Sequence, residues 1–582
     1  MTSYDYTVLV FYFLFMMAIS WVFRRFITNV SDYFRSGGQV LWWMAGGSAF
    51  MVSFSAWTFT GAASRAYGDG WPVMAIYVAN AVGFLMNAYY FAPRFRQLRV
   101  ITSMEAVRAR FGRVNEQFFT WMTLPLGTMY AGIWLFGLGV FSSAVFGLSV
   151  ETTIMATGIT VLFVSLVGGS WAVIASDFIQ VLILLPVTIV ATVLAISRLG
   201  GAGEFVSQLS DSKLDLSRVF SDKFLLFWCV AVLVKQFVST NNLSDATRYL
   251  CVKDSRHARK AALLAARLFF AGTFIWFTPP LVASVTNPDL AAVFPSLKNP
   301  AEGSYFAIAL ATFPTGMLGL LVCGIFAATM SSMDTGLNKN AGIFVKNFYQ
   351  PVLRKGASDR ELLITGKAAT ITIGLIVIIL AQLYSRLEGL TLFQLMLDFA
   401  ILVALPQTLP LVLGIFIRRT PAWSGWSTVL IGFVTSWVTR NYLTLSWAME
   451  TFGVTGEANT WEGQNWDQGV AVFTNVFVCT GWFLFTRNFY GRKSPTYQAS
   501  IEDFSKRIET PVNYATDETA PANDDRQSLL MGWLYMPYGA FVCLMALIPN
   551  PLIGRLSFLF CGGVVAIVGC ALVRQSRANK TD

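Results

Sequence analysis

The sequence predicts an all-α protein that crosses a membrane many times, and three observations carry that expectation. Of 582 residues, 55% are hydrophobic and only 13% are charged, where a soluble chain carries about 25% charged residues; mean hydropathy is +0.57. Apolar stretches recur almost without a break at lengths near the ~20 residues that a helix rising ~1.5 Å per residue needs to cross a bilayer. The 49 phenylalanines and 18 tryptophans suit helix packing and the aromatic belts at both membrane surfaces.

About fifteen spans follow in order, at 6–23, 41–68, 71–93, 119–147, 151–168, 171–197, 223–240, 261–285, 304–332, 365–385, 388–417, 422–443, 468–486, 529–549 and 554–573. The opening MTSYDYTVLVFYFLFMMAISWVFRRF has no basic leading region and no small-residue cleavage site, so it reads as a retained first span, not a signal peptide. Lysine and arginine collect in alternate loops: Arg24 and Arg25; Arg94, Arg96, Arg99, Arg108, Arg110 and Arg113; Arg248, Lys253, Arg256, Arg259 and Lys260; Arg354, Lys355 and Arg360; Arg418 and Arg419; Arg574 and Arg577. Those loops are expected in the cytoplasm, whereas GDGWP, 286–303 and 445–467 are almost free of positive charge. The N-terminus is therefore expected outside and the C-terminus inside. ITSMEAVRARFG at 101–112 is expected as an amphipathic cytoplasmic helix, and 487–528 as a cytoplasmic connector in which SIEDFSKRIET forms a short interfacial helix and TDETAPANDD is flexible.

The net charge of +10 is spread over many short loops, which is a topology signal and not the footprint of a nucleic-acid partner. Seven cysteines with no CxxC pair fall mainly in apolar runs, as at Cys229, Cys323, Cys479 and Cys570, and read as packing residues. The lone histidine, His257 in RHARK, reads as a solvated loop residue, which leaves histidine-based metal, triad or relay chemistry hard to build. No catalytic group and no cofactor are expected.

Polar groups inside spans are costly and need a partner or a task. In the span at 41–68, Ser48, Ser53, Ser55, Thr58, Thr60 and Ser64 interrupt the apolar run together with Gly61. Hydroxyls that compete for backbone groups favour local unwinding, which frees carbonyl oxygens suited to a hard monovalent cation. In the span at 304–332, Ser331 and Ser332 follow Ala328 by three and four residues, one helical turn. Their small side chains read first as a close helix contact and second as cation ligands. Asp177, with Gln180 three residues on, is either a helix-end carboxylate held by backbone or serine, or a coupling group. Asp398 precedes a hinge at Pro406 and Pro410, and Lys235 either pairs with a carboxylate or snorkels.

Together these residues resemble the sodium/solute symporter family. SDYFRSGGQVLWWMAGGSAF resembles the approach to that family's first core helix, SAWTFTGAASRAYGDG its break and exit, and ITSMEAVRARFG the following basic loop; WAVIASDFIQVLILL, AATMSSMDTGLNKNAGIFVKNFY and LPLVLGIFIRRTPAWSG resemble the fifth, eighth and tenth core helices. The resemblance covers about residues 30–440. It implies a leucine-transporter-type fold of two inverted five-helix repeats, at 41–197 and 198–417, after a first span and cytoplasmic loop in 1–40. Two additional spans in 418–486, the connector and two C-terminal spans in 529–582 follow.

The resemblance implies that sodium binds through the carbonyls of Met51, Phe54 and Ala328 and the hydroxyls of Ser331 and Ser332, with the polar residues beyond leading that helix into the cytoplasm. It implies a second-cation or coupling role for Asp177 and a substrate site at Trp57, Thr58 and Asp398. Sugar carriers have Glu-Gln where this chain has Trp57 and Thr58, and a polar position expected in the span at 223–240 falls on Val230. Trp57 is similar to the tryptophan of proline-type members, but their accompanying aspartate is Ser53 here. The implied activity is sodium-coupled import of a small organic solute by alternating access, with no other cofactor. The protein would work in a plasma membrane of the bacterial inner-membrane type, as a monomer or weak homo-oligomer. A sugar symporter, a proton-coupled carrier titrating at Asp177 and Asp398, and a membrane sensor keeping the fold are the alternatives.

Overall fold

The computed structural model describes residues 1–23, 36–167, 170–209, 213–388, 390–458, 460–492, 495–512 and 524–578. Arg24, Arg25, the start of SDYFRSGG and most of TDETAPANDD lie outside these residues. The described residues are overwhelmingly helical, and eleven helices are long and apolar enough to cross a membrane. In chain order, α1 (Ser3–Phe23) is followed by α2 (Trp42–Val52) and α3 (Gly61–Asp69), the two halves of one interrupted span. Next come α4 (Trp71–Gln97), α5 (Ser103–Phe111), α6 (Arg113–Phe146), α7 (Val150–Val167) and α8 (Ser170–Arg198).

The expected unwinding near residue 53 is present. Helix α2 stops at Val52, residues 53–55 are not helical, and a 3-10 turn at Ala56–Phe59 leads into α3. Sequence reasoning missed a second interruption of the same kind. Helix α9 (Leu225–Thr240) gives way to a 3-10 turn at Leu243–Asp245, capped by the Asn242 side chain on Ser244 N, and then to the short α10 (Thr247–Leu250). Here Asn, Ser and Asp side chains offer the backbone an alternative to the helix.

Helix α11 (Ser255–Thr286) begins with Asp254 accepting from His257 N. His257 is therefore not a solvated loop residue: it sits in the first helical turn with its ring on the Asp254 carboxylate, and this contact, with the backbone bonds, outweighs the opposing effect of burial and holds that carboxyl down at about 2. The expected span at 304–332 is also corrected. α12 (Ser304–Thr312) ends before Pro314, Gly316 takes φ +88, and α13 (Met317–Leu353) starts afresh and runs on past the expected end. A proline without an N–H and a left-handed glycine make that boundary.

The rest of the bundle comprises α14 (Asp359–Arg386), α15 (Leu392–Phe416), α16 (Ser424–Tyr442), α17 (Trp461–Phe485), the connector helix α18 (Pro495–Glu509), α19 (Asp524–Leu547) and α20 (Leu552–Arg577). A capping box of Thr391 and Gln394 starts α15. Three arginines of the expected basic cytoplasmic segments are buried: Arg96, Arg110 and Arg248. Arg110, for example, donates to Gly414 O at 2.7 Å and Ile417 O at 2.8 Å, closing the carbonyl end of α15.

The last two long helices form a hairpin in which backbone meets backbone. A Cβ on Gly539 would lie 2.5 Å from Ala566 N, and one on Gly562 would lie 2.6 Å from Gly539 O. That hairpin docks on α1 and α8 through Phe11 stacked on Phe541 at 3.7 Å and Phe178 against Tyr535.

Candidate functional site

The first interruption lies against α13, and one hydroxyl marks the meeting point. Ser332 Oγ is 2.6 Å from Phe54 O, 3.1 Å from Met51 O, 3.2 Å from Val52 O and 3.4 Å from Ala328 O. A hydroxyl has a single proton, so it satisfies one of these acceptors and leaves three with lone pairs converging on the same spot. Nearby, Ala56 N donates to Thr329 Oγ1 at 2.8 Å, tying the turn after the break to α13. Of the five expected sodium residues, Met51, Phe54, Ala328 and Ser332 are brought together. Ser331 Oγ is buried without a hydrogen-bond partner and lies near the Asp177 carboxylate instead.

Asp177 on α8 is wholly buried. Ser48 of α2 donates to its Oδ2, and Arg248 Nη2 stands 3.5 Å from the same oxygen. Arg248 also donates to Thr335 of α13, so this node joins four elements. The serine-held reading of Asp177 describes its contacts, with a buried arginine added that the sequence reading had counted only as part of a basic cytoplasmic loop. Asp334 was not singled out, yet it is buried two residues after Ser332 and accepts from Ser165 Oγ. Its presence in ATMSSMDTG was the available signal.

Beside the interruption is a cavity of about 340 Å³, lined among others by Trp57, Thr58, Tyr77, Lys235, Gln236 and Gln407. That volume lies within the range of small-molecule sites. Thr58 Oγ1 accepts from Tyr77 OH at 2.8 Å. Trp57 stacks on Phe393 at 5.6 Å and donates from Nε1 to Leu392 O at 3.2 Å; a Cβ on Gly61 would come within 2.7 Å of that nitrogen, so glycine allows the ring to fold back. Phe59 packs against Tyr305 at 4.8 Å, so Trp57 reaches the cavity wall from a buried aromatic layer. The cavity also reaches Lys339 and Asp245, the latter 49% exposed, so it opens there.

Thr335, Lys339 and Asn340, the polar residues beyond the serines, line the cavity. Three expectations change. Val230 is 42% exposed on the outer surface, and the cavity-facing polar positions of α9 are Lys235, Gln236, Ser239 and Thr240. Lys235 neither pairs with a described carboxylate nor snorkels: it is buried and donates to Gln236 Oε1 at 2.9 Å. Asp398 does not line the cavity; it faces α16 and α17, 3.5 Å from Arg440 and 3.3 Å from Gln468 Nε2. Its register on α15 turns it away from Met396 and Leu397, which do line the cavity.

Residues 33–432 match the family model described as Sodium:solute symporter family. The chain is 26% identical over 481 residues to Sodium/myo-inositol cotransporter 2 of Mus musculus, covering 74% of this chain and 69% of that protein. It is 25% identical over 441 residues to Sodium/sialic acid symporter NanT of Aliivibrio fischeri, covering 72% and 84%. Its structure is similar to that of a Na+-coupled sialic acid symporter solved in a substrate-bound outward-open state, with a TM-score of 0.67, 19% identity, and coverage of 85% of this chain and 99% of that one.

Proposed function

Because the chain belongs to the sodium:solute symporter family and has a leucine-transporter-type all-α fold, we propose that its sodium-coupled solute symport runs through the interruption between α2 and α3. The observation that carries this reading is the set of carbonyl oxygens around Ser332 Oγ. Sodium is a substrate here, held by the carbonyls of Met51, Phe54 and Ala328 and the Ser332 hydroxyl, with the Ser331 hydroxyl turning from its place near Asp177 to supply the fifth oxygen. Oxygen ligands suit such a hard cation. Asp177, ion-paired with Arg248, is the coupling residue or the second-cation ligand.

Sodium pins α2 to α13, completes the wall formed by Trp57 and Thr58, and favours the outward-open state in which solute loads. The repeats at 41–197 and 198–417 each begin with an interrupted helix, which supports their inverted pairing. About fifteen spans follow from the apolar stretches, and an outer N-terminus and an inner C-terminus from the loop charges. On that orientation the open end beside Asp245 and Lys339 faces the cytoplasm, and the arrangement is one of release. The protein is a plasma-membrane carrier, of the bacterial inner-membrane type.

The test is uptake of radiolabelled solutes by proteoliposomes under an inward gradient, with sodium replaced by choline at fixed pH. Uptake that requires sodium supports the reading. Accumulation that ignores sodium and follows a proton gradient would favour the proton-coupled alternative. Names of relatives include inositol, sialic acid and glucose cotransport, so a sugar-like solute is the second reading.

A further inference from the structure

We propose that Lys235 recognises an anionic group of the solute, and that the transported solute is a small polar molecule bearing one carboxylate. This inference rests on the symport reading above. It starts from the charges around the cavity, whose lining includes four Lys, Arg and Asp side chains: Lys235, Asp245, Arg248 and Lys339. Arg248 is paired with Asp177 at 3.5 Å, and Lys339 with Asp245 at 2.9 Å. Lys235 has no carboxylate within ion-pair distance among the described residues; its ammonium donates only to the neighbouring Gln236 Oε1 at 2.9 Å. Pairing therefore leaves a single uncompensated positive charge on the cavity wall.

A buried ammonium is expensive unless it is paired, because low-dielectric surroundings replace its hydration. Lys235 is 8% exposed, so water does little to offset that cost. The side chain stands one turn before the interruption at the end of α9, among polar wall groups that include Gln236, Ser239 and Gln407. Hydroxyls and amides of that kind suit a polyol or amide body, and the cationic head suits a carboxylate attached to it. A neutral sugar would leave the lysine charge uncompensated, whereas an anionic solute removes the cost on binding.

The experiment uses purified full-length protein in lipid nanodiscs, with thermal unfolding followed in sodium and in choline. The probes are D-gluconate, D-glucuronate and N-acetylneuraminate against the uncharged D-glucose and myo-inositol. A ligand that binds the native state raises the unfolding midpoint. The expected result is a sodium-dependent rise with at least one carboxylate and none with the uncharged compounds. In Lys235→Met the affinity for that carboxylate should fall at least about 30-fold, while the rise caused by sodium alone persists and reports intact folding; Lys235→Arg should restore part of the affinity. Preference for an uncharged compound, no response to any carboxylate, or unchanged carboxylate affinity in Lys235→Met would overturn the inference. Carboxylate binding that needs Lys235 but is equal in sodium and choline would uphold it while removing the sodium coupling on which the symport site depends.

Discussion

Ser332 and its neighbour divide their work in a way that spacing alone could not reveal. Adjacent helical residues point about 100° apart, so one hydroxyl meets the carbonyls of the interruption and the other lies near Asp177. The serines and Asp177 were legible because polar groups inside apolar spans stand out. Lys235 stood out too, but its role needed the cavity wall to be seen. Asp177 and Arg248 come from distant parts of the chain, and an arginine beside a basic loop gives no sign in sequence that it is buried. The Asp177→Ala variant should lose about 3–5 kcal/mol of stability, as expected when one partner of a buried ion pair is removed, read as a lower unfolding midpoint. The double variant Asp177→Ala/Arg248→Met should recover part of that loss, because no lone charge is left inside.

Interrupted helices are the elements on which the site depends, and they differ in how visible they are. The first carries six hydroxyl residues within an apolar run, so its unwinding is written in composition. The second carries Asn241, Asn242, Ser244 and Asp245, but the basic residues that follow make the segment look like an ordinary loop. The C-terminal hairpin was legible as two spans, while its backbone contact depends on which glycines face each other. Gly539→Leu should separate α19 from α20 at a cost of about 1–3 kcal/mol, the usual penalty for overfilling a packed contact. Thermal unfolding should register the loss, and the sodium concentration for half-maximal uptake should stay unchanged, since the carbonyls around Ser332 come from α2, the break after it and α13.

For the whole molecule, coupling converts ion movement into solute accumulation. One sodium moving through 100 mV yields about 2.3 kcal/mol, and a tenfold concentration ratio adds about 1.4 kcal/mol. The sum, about 3.7 kcal/mol, supports roughly 500-fold accumulation of a neutral species per ion. A carboxylate entering with one sodium carries no net charge, so a single ion would then supply only its concentration term, and strong accumulation would require a second. Uptake currents in proteoliposomes should show this directly: one net positive charge per solute anion indicates two sodium ions. Alternating access adds a further expectation. Ala404→Cys, on the cavity wall, should react with a membrane-impermeant thiol reagent from the cytoplasmic side without sodium and be protected several-fold when sodium is present. The most direct test of the central claim is equilibrium binding of radioactive sodium to purified protein, comparing wild type with Ser332→Ala. Loss of a hydroxyl ligand to a cation, worth about 1.5–3 kcal/mol, predicts sodium affinity about 10- to 100-fold weaker; equal affinity in the two proteins would contradict a sodium site at the α2–α13 contact.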